Sequence, residues 1–201
     1  MPPSRSTYHH GDLRRALLAA AEAELVEKGI EGFTLRGVAR RAGVSHAAPA
    51  HHFKDTAAML TALAAVAAER LTRTMAQRRA AAPDDPRARL VASGTGYIAF
   101  ALENPALFML LFGSGRPDSG DPELVRHAGA AYADLVEGIA AIEGKDPTAD
   151  PEGRLDVAAA WSLVHGAASL LIAGRMKSLR PADEADREAW LRRLVGRILP
   201  A

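Results

Sequence analysis

The chain has 201 residues, of which 48% are hydrophobic, and its formal net charge is +1. This length and apolar content suit one compact unit, or a small head on a larger body. Cysteine is absent, which excludes disulfides, thiolate metal sites and cysteine nucleophiles and favours a reducing, cytoplasmic compartment. The charge is uneven, because residues 1–54 hold 8 Lys+Arg against 5 Asp+Glu. This mild excess favours a polyanionic partner for the N-terminal part.

Helical periodicity dominates and strand signals are nearly absent, which predicts an all-α fold of about nine helices. An N-cap at Asp12 predicts a first helix to Lys28, and caps at Thr34 and Ser45 predict short helices over 35–42 and 46–53. Breaks at Pro, Gly and Asp residues separate six further predicted helices. Five lie at about 56–81, 86–103, 106–112, 123–143 and 154–178, and the last follows Pro181 and the acidic run 183–188 and ends at Leu199.

The run from Val157 to Gly174 carries no Asp, Glu, Lys or Arg and is borderline in length for a membrane span. It contains Trp161, His165 and several small residues, which are more typical of a helix buried on all sides within a bundle. No membrane insertion is therefore expected.

The most informative stretch is 34–53, TLRGVARRAGVSHAAPAHHF. Its two caps and the break at Gly43 predict two short helices joined by a tight turn, and the small Ala39 permits close packing. The second of these helices is too short to be stable alone, so the pattern fits a recognition helix supported by its neighbour. The alternative is a helical corner with a purely structural role.

These residues resemble the DNA-binding signature of the tetracycline-repressor (TetR) family, in which Thr34, Val38-Ala39, Ala42-Gly43-Val44-Ser45 and Phe53 match. Three further elements resemble one subgroup of that family: the arm at 8–13, Asn104-Pro105, and Trp161-x-x-x-His165-Gly166.

The resemblance implies a three-helix helix-turn-helix head at 1–54 and a larger helical bundle at 55–201 that binds a ligand and forms a homodimer. It further implies a bacterial transcriptional regulator, most often a repressor, that binds a near-palindromic double-stranded DNA operator. A small molecule that enters the bundle releases it, and neither a cofactor nor an enzymatic activity is implied. The candidate pocket residues are apolar with few charges, which favours a hydrophobic or aromatic effector.

Two positions depart from the family pattern. Ala50 stands where the family usually has a tyrosine that contacts phosphate, and Thr56 stands where a lysine often does so, with Lys54 as a substitute. Lost phosphate contacts weaken binding without changing which bases are read. We therefore expect a weaker operator complex, or one that depends more on the N-terminal arm.

Roles in DNA binding follow from the resemblance residue by residue. Thr34 and Arg36 are expected at phosphate, helped by a helix N-terminus, while His46, Ala47 and Ala48 face base edges in the major groove. The remaining expected contacts come from the arm and the flanks of the recognition helix: Arg5, Ser45, His51, His52 and Lys54. The alternative for the histidines is a metal site, but adjacent pairs lack the spacing of metal ligands, so no metal is expected.

Aromatic and apolar stripes in the larger part predict a ligand pocket and a dimer interface. The pocket is expected to be lined by Tyr97, Phe100, Phe108, Phe112, Trp161 and His165. The dimer face is expected on two helices, from Leu163, Ala167, Leu170, Gly174, Trp190, Leu191, Leu194 and Ile198. In both cases the alternative is an ordinary packed core, which has the same periodicity.

Enzyme motifs are missing from the sequence. It has no glycine-rich phosphate loop, no Gly-x-Ser-x-Gly and no paired Glu-x-x-His. The remaining rival to a DNA-binding regulator is a helical module that binds a ligand without binding DNA, and a DNA-binding measurement separates the two.

Overall fold

A computed structural model describes residues 10–197 and Leu199, so the predicted contacts of Arg5 and Ile198 lie outside the described residues. Within that part the chain is all helical and no strand occurs, which confirms the predicted fold class. The helices are α1 His10–Lys28, α2 Leu35–Arg41, a 3-10 helix Ala48–His51, α3 Thr56–Ala80, α4 Pro86–Glu103, α5 Pro105–Phe112, α6 Pro122–Glu143, α7 Pro151–Ile172 and α8 Glu184–Val195.

Three helices begin with the same local device, an aspartate N-cap followed by proline. Asp85, Asp121 and Asp150 each accept a hydrogen bond from the backbone N–H three residues later, at 2.7–3.0 Å. The proline after each aspartate occupies the first helical position, where its missing N–H costs little. Because this pair marks a helix start rather than a loop, α6 and α7 begin earlier than their predicted starts at 123 and 154.

The predicted recognition helix 46–53 is wrong in type and length. The segment forms only the 3-10 helix Ala48–His51, and Ser45 does not cap it, since the N-cap is Ala47 without a side-chain bond. Pro49 explains the difference. An α-helix that starts at His46 would need an N–H at position 49 to bond the Ser45 carbonyl, and proline has none. The Ala48 N–H takes that carbonyl instead, at 3.0 Å, in the i to i+3 pattern.

The other helix ends also differ from the predicted bounds. α1 begins at His10, before the predicted cap at Asp12. α7 stops at Ile172, and Gly174, with φ of +68°, lies in the turns that follow. Its left-handed backbone removes Gly174 from the predicted interface helix.

One continuous apolar core joins the N-terminal helices to the rest of the chain. It contains Leu17 of α1, Phe53, Met59 of α3, and Phe100 and Phe108 of α4 and α5. α3 and α4 pack closely at Gly96, where a Cβ would meet the Met75 Cα at 2.9 Å. α4 and α5 meet at a bend of 108° around Asn104, so α5 folds back against α1 and α3.

The helix α7 is long and apolar enough to cross a bilayer, which is weak evidence because core helices pass the same test. The expectation that it is buried on all sides is wrong for the single chain, because Leu155, Trp161 and Leu170 are exposed. Periodicity alone does not distinguish a helix buried by its own chain from one that presents an apolar face to a partner.

Candidate nucleic-acid interface and ligand cavity

The second helix of the candidate DNA-binding head is held tightly against the first. Thr34 Oγ1 accepts the N–H of Gly37 at 3.0 Å, so the predicted cap forms. Gly37 lies against the buried carboxylate of Glu24, where a Cβ would clash. Arg41 donates to Glu24 at 2.5 Å and also pairs with Glu27. These contacts fix the position of α2 and engage Arg41 within the head, so Arg41 is not a free phosphate ligand.

The segment around the 3-10 helix has one side buried in the head and one side exposed. Pro49 and Phe53 are buried, and the Arg14 guanidinium lies 5.3 Å from the Phe53 ring centroid. The described residues predicted to contact DNA all retain some exposure: Thr34, Arg36, Ser45, His46, Ala47, His51 and Lys54 are exposed, while Ala48 and His52 are half-buried. The surface is therefore small and polar, as base and phosphate contacts require.

One cation on this surface was missed by the sequence reasoning. Arg40 is exposed and lies one helical turn after Arg36 on α2. The i, i+4 spacing places both guanidinium groups on one face of the helix, and this spacing was readable from the sequence.

A cavity of about 290 Å³ lies in the larger part of the chain. Its walls are mostly apolar side chains from α3 to α8 and from Leu199 beyond α8. The aliphatic ones from the helices are Leu71, Met75, Leu90, Leu111, Leu135, Ala160, Val164 and Val195, and the aromatic ones are Tyr97, Phe112, Tyr132 and Trp161. Concave apolar sites with a few polar groups are the usual form of small-molecule sites.

The predicted pocket residues separate into three groups. Tyr97, Phe112 and Trp161 line the cavity. Phe100 and Phe108 do not line it and belong to the apolar core around it. His165 lies behind the wall and lines an outer recess of about 330 Å³, which shares Phe112 and Trp161 with the cavity. Aromatic spacing predicted the correct helices but did not distinguish the lining rings from the core rings.

Tyr97 and His165 are joined by a hydrogen bond in the wall between the cavity and the outer recess. The Tyr97 hydroxyl lies 2.9 Å from His165 Nδ1. Burial raises the pKa of Tyr97 well above its usual range, while a hydrogen bond with Trp161 acts in the opposite direction. Burial lowers the pKa of His165. Both groups are therefore neutral at pH 7, and the tautomer of His165 sets which of the two donates.

The cavity has one polar end, which the sequence reasoning missed. Ser93 on α4 donates to Asp134 Oδ2 on α6, and Arg79 at the end of α3 pairs with Asp134 Oδ1. Tyr132, on the same helix as Asp134, packs its ring 5.8 Å from that of Trp161. The α6 positions 128, 131, 132 and 135 line the cavity at helical spacing, and this stripe was a usable sequence signal.

The residues predicted for the dimer face differ in how far they are exposed. Leu170 is exposed, and Leu163, Trp190 and Leu194 are half-buried. Ala167 and Leu191 are at most 9% exposed and belong to the chain's own core. The exposed side of α7 is instead formed by Leu155, Ala158, Ser162 and Leu170.

Comparison with known families matches both parts of the chain. Residues 17–63 match the profile described as bacterial regulatory proteins, tetR family, and residues 90–198 match tetracyclin repressor-like, C-terminal domain. An HTH-type transcriptional regulator BetI from Burkholderia mallei is 40% identical over 80 residues. That match spans 39% of this chain and 41% of the relative, less than half of either protein.

Solved structures are similar over nearly the whole chain. A protein of unknown function from Rhodococcus sp. RHA1 has a TM-score of 0.74 and 35% identity, covering 95% of this chain and all of that one. A TetR family transcription regulator from Marinobacter aquaeolei VT8 has a TM-score of 0.67 and 16% identity, covering 93% and 95%, and shares the fold. The chain therefore belongs to the TetR family of helix-turn-helix transcriptional regulators, which is not a family of enzymes.

Proposed function

We propose that this regulator is a cytoplasmic homodimeric repressor that binds a near-palindromic DNA operator and is released by a small hydrophobic molecule. Residues 1–54 form the DNA-binding part, and residues 55–201 form the part that binds the ligand and a second copy. The observation that carries the proposal is that α3 both lines the cavity and holds the head.

The DNA contacts divide into phosphate and base contacts. Thr34, Arg36 and Arg40 on and before α2 reach phosphates, and Lys54 supports them from the far side of the turn. The exposed His46 and the small Ala47 and Ala48 face base edges, flanked by Ser45, His51 and His52. A short 3-10 helix presents few side chains to a major groove, so phosphate contacts carry much of the affinity.

The family departures fit this balance. Ala50 is exposed and offers no phosphate donor, and Thr56 is half-buried in the first turn of α3. Lys54 is exposed two residues before Thr56 and takes over that position's charge. Arg36 and Arg40 therefore account for a larger share of the phosphate contacts than they would if position 50 were a tyrosine and position 56 a lysine.

Ligand binding reaches the head through α3. Leu71 and Met75 line the cavity, and Arg70 beside them donates to both carboxylate oxygens of Glu22 on α1, at 2.7 and 2.8 Å. Arg70 also donates to Asn104 Oδ1 at 2.8 Å, at the bend before α5. A ligand that prefers one position of α3 thereby biases α1, and it shifts operator affinity only by its differential affinity for the two states.

The dimer uses the exposed side of α7. Leu155 is 61% and Leu170 47% exposed, while a Cβ added to Gly166 between them would meet no atom within 4 Å. An apolar helix face with small central residues permits close crossing of a second helix. Two copies joined there place two heads on a symmetric operator, one head for each half-site.

The test is fluorescence anisotropy of the purified protein with the DNA upstream of its own gene, at two salt concentrations. We expect binding that resists competitor DNA and weakens steeply with salt. Arg36→Ala should weaken binding uniformly across sequences and reduce the slope of log affinity against log salt by about 1.

The matched control is Arg73→Ala, which removes an exposed arginine from α3 in the larger part of the chain. It should leave both affinity and salt slope unchanged. A protein that selects no sequence from random DNA would be a ligand-binding module instead, and equal effects of Arg36→Ala and Arg73→Ala would refute the proposed surface.

A further inference from the structure

The cavity is asymmetric along its length. Four aromatic rings and a set of aliphatic side chains form most of its wall. At one end Ser93 and Asp134 replace them, and an outer groove of about 170 Å³ lined by Arg79, Arg89 and Glu137 shares Ser93 and Asp134 with the cavity. A molecule inside meets polar atoms at that end, so its orientation is set there.

The polar end is a hydrogen-bond acceptor whose charge is already balanced. Asp134 receives the Ser93 hydroxyl at one oxygen and the Arg79 guanidinium at the other. A carboxylate offers about four lone-pair positions, so these two partners leave acceptor capacity. The Asp134 side chain is only 12% exposed, so water has little access to that capacity. A bound molecule that donates a hydrogen bond would satisfy it.

We propose that the cavity binds an uncharged aromatic molecule that carries one hydroxyl or N–H donor, and that this donor meets Asp134. The inference rests on the proposed function, in which the cavity is the effector site. The volume of about 290 Å³ corresponds to roughly ten water-sized units, which limits the ligand to the size of a one- or two-ring compound.

Charged ligands fit this environment less well. An anion would lie beside Asp134, and among the described lining residues no Lys, Arg or His is present to balance it. A cation would find four aromatic rings, but Arg79 already pairs with the carboxylate that it would need. A neutral donor adds one hydrogen bond without displacing Arg79.

The test uses four probes with one naphthalene body: 2-naphthol, its methyl ether, 2-naphthoate and 2-naphthylmethylammonium. Calorimetric titration of the full-length protein should rank 2-naphthol first. We expect it to bind about tenfold more tightly than the methyl ether, as one hydrogen bond of about 1.4 kcal/mol gives. The two charged probes should bind more weakly than 2-naphthol.

Variants assign that preference to Asp134. Asp134→Leu replaces the acceptor with an apolar side chain, so 2-naphthol and the methyl ether should bind within about twofold of each other. Asp134→Asn keeps the shape and one acceptor oxygen, and should give an intermediate preference even if the leucine variant folds poorly. The control Glu137→Leu changes a carboxylate that lines only the outer groove and should retain the wild-type preference.

The outcomes separate this inference from the proposed function. Equal binding of 2-naphthol and its ether by the wild type overturns the donor inference and leaves the cavity as a ligand site. Tightest binding of the ammonium probe identifies a cation site and also overturns it. If no probe binds, both the inference and the assignment of the cavity as effector site fail, while operator binding measured separately still stands.

Discussion

The recognition surface and the larger part of the chain offer opposite chemistry to a partner. Around the 3-10 helix the exposed side chains are small or polar, as at Ser45, His46 and Ala47. On α7 the exposed side chains are large and apolar, as at Leu155 and Leu170, and the cavity beneath it is also mostly apolar. One surface suits a hydrated polyanion, and the other suits partners that bury apolar area.

The two regions also differ in how they use small residues. The Glu24 carboxylate occupies the space where a side chain at Gly37 of α2 would lie, so a larger residue does not fit there. Gly166 in α7 faces open space within the single chain. A tightly packed glycine serves the fold of the head itself, whereas an uncovered glycine on an apolar face is available to a partner. Changes at matched positions in the two regions should therefore give different results.

The largest expected effect comes from the core that supports the cavity. Phe108→Ala should lower the free energy of unfolding by about 3–5 kcal/mol, because the ring is 1% exposed and its loss leaves a cavity. Phe112→Ala, on the same helix but 37% exposed, should cost less than half as much. Urea denaturation measures both, and equal losses would show that Phe112 belongs to the core rather than to the cavity wall.

The local signals were strong enough to predict most of the helices. Thr34 caps α2, and the breaks around Asp85 and Asn104 fall where they were expected, because caps and prolines act within a few residues. The prediction of a helix over 46–53 was wrong because Pro49 has no N–H, and the loss of that one hydrogen bond leaves only a 3-10 helix.

The polar end of the cavity was out of reach of the sequence. Arg79, Ser93 and Asp134 lie on three helices, and only tertiary packing brings them together. Likewise, helical periodicity predicted an apolar side on α7 but not whether the same chain or a partner packs against it. The core residue Ala167 was therefore assigned to the same predicted face as the exposed Leu170. A pattern of apolar residues records that burial occurs, not whether the same chain supplies it.

The packed glycine of the head gives the next largest effect. Gly37→Val should destabilise the protein by about 1–3 kcal/mol, because the new side chain displaces Glu24 from its pair with Arg41. Operator binding should fall with it, since α2 shifts. Gly129→Val is the control: it makes the same change in α6, where a Cβ meets nothing within 4 Å. A similar loss in both variants would point to helix propensity instead of packing.

Substitution of Gly166, the uncovered glycine of α7, tests the proposed dimer face and should have a smaller effect. Replacing a mid-helix glycine by alanine stabilises a helix by about 0.5–1 kcal/mol when space is available. Gly129→Ala should show this gain. Gly166→Ala should instead weaken dimerisation, because the added methyl would lie between the two α7 helices of the proposed dimer. Sedimentation equilibrium measures the dimer, and an unchanged dissociation constant for Gly166→Ala would place the interface elsewhere.

The smallest expected effect concerns the wall between the cavity and the outer recess. Burial lowers the pKa of His165 in the folded chain, so the unfolded chain takes up the proton first as pH falls. Stability should be unaffected well above the ordinary histidine pKa of about 6.5 and should decrease as pH falls below it. A protonated His165 has only N–H donors, so this bond can then form only with the Tyr97 oxygen as acceptor.

His165→Gln keeps an acceptor for Tyr97 but does not titrate in this range, so its stability should fall less between pH 7.5 and pH 5, values that bracket the histidine range by about one unit or more on each side. His127→Gln removes a ring that contacts Arg126 on the surface and should follow the wild type. Chemical denaturation at a series of pH values compares the three proteins. Parallel curves for wild type and His165→Gln would mean that the imidazole is not excluded from water in the folded chain, and the wall around Tyr97 would then be open to solvent.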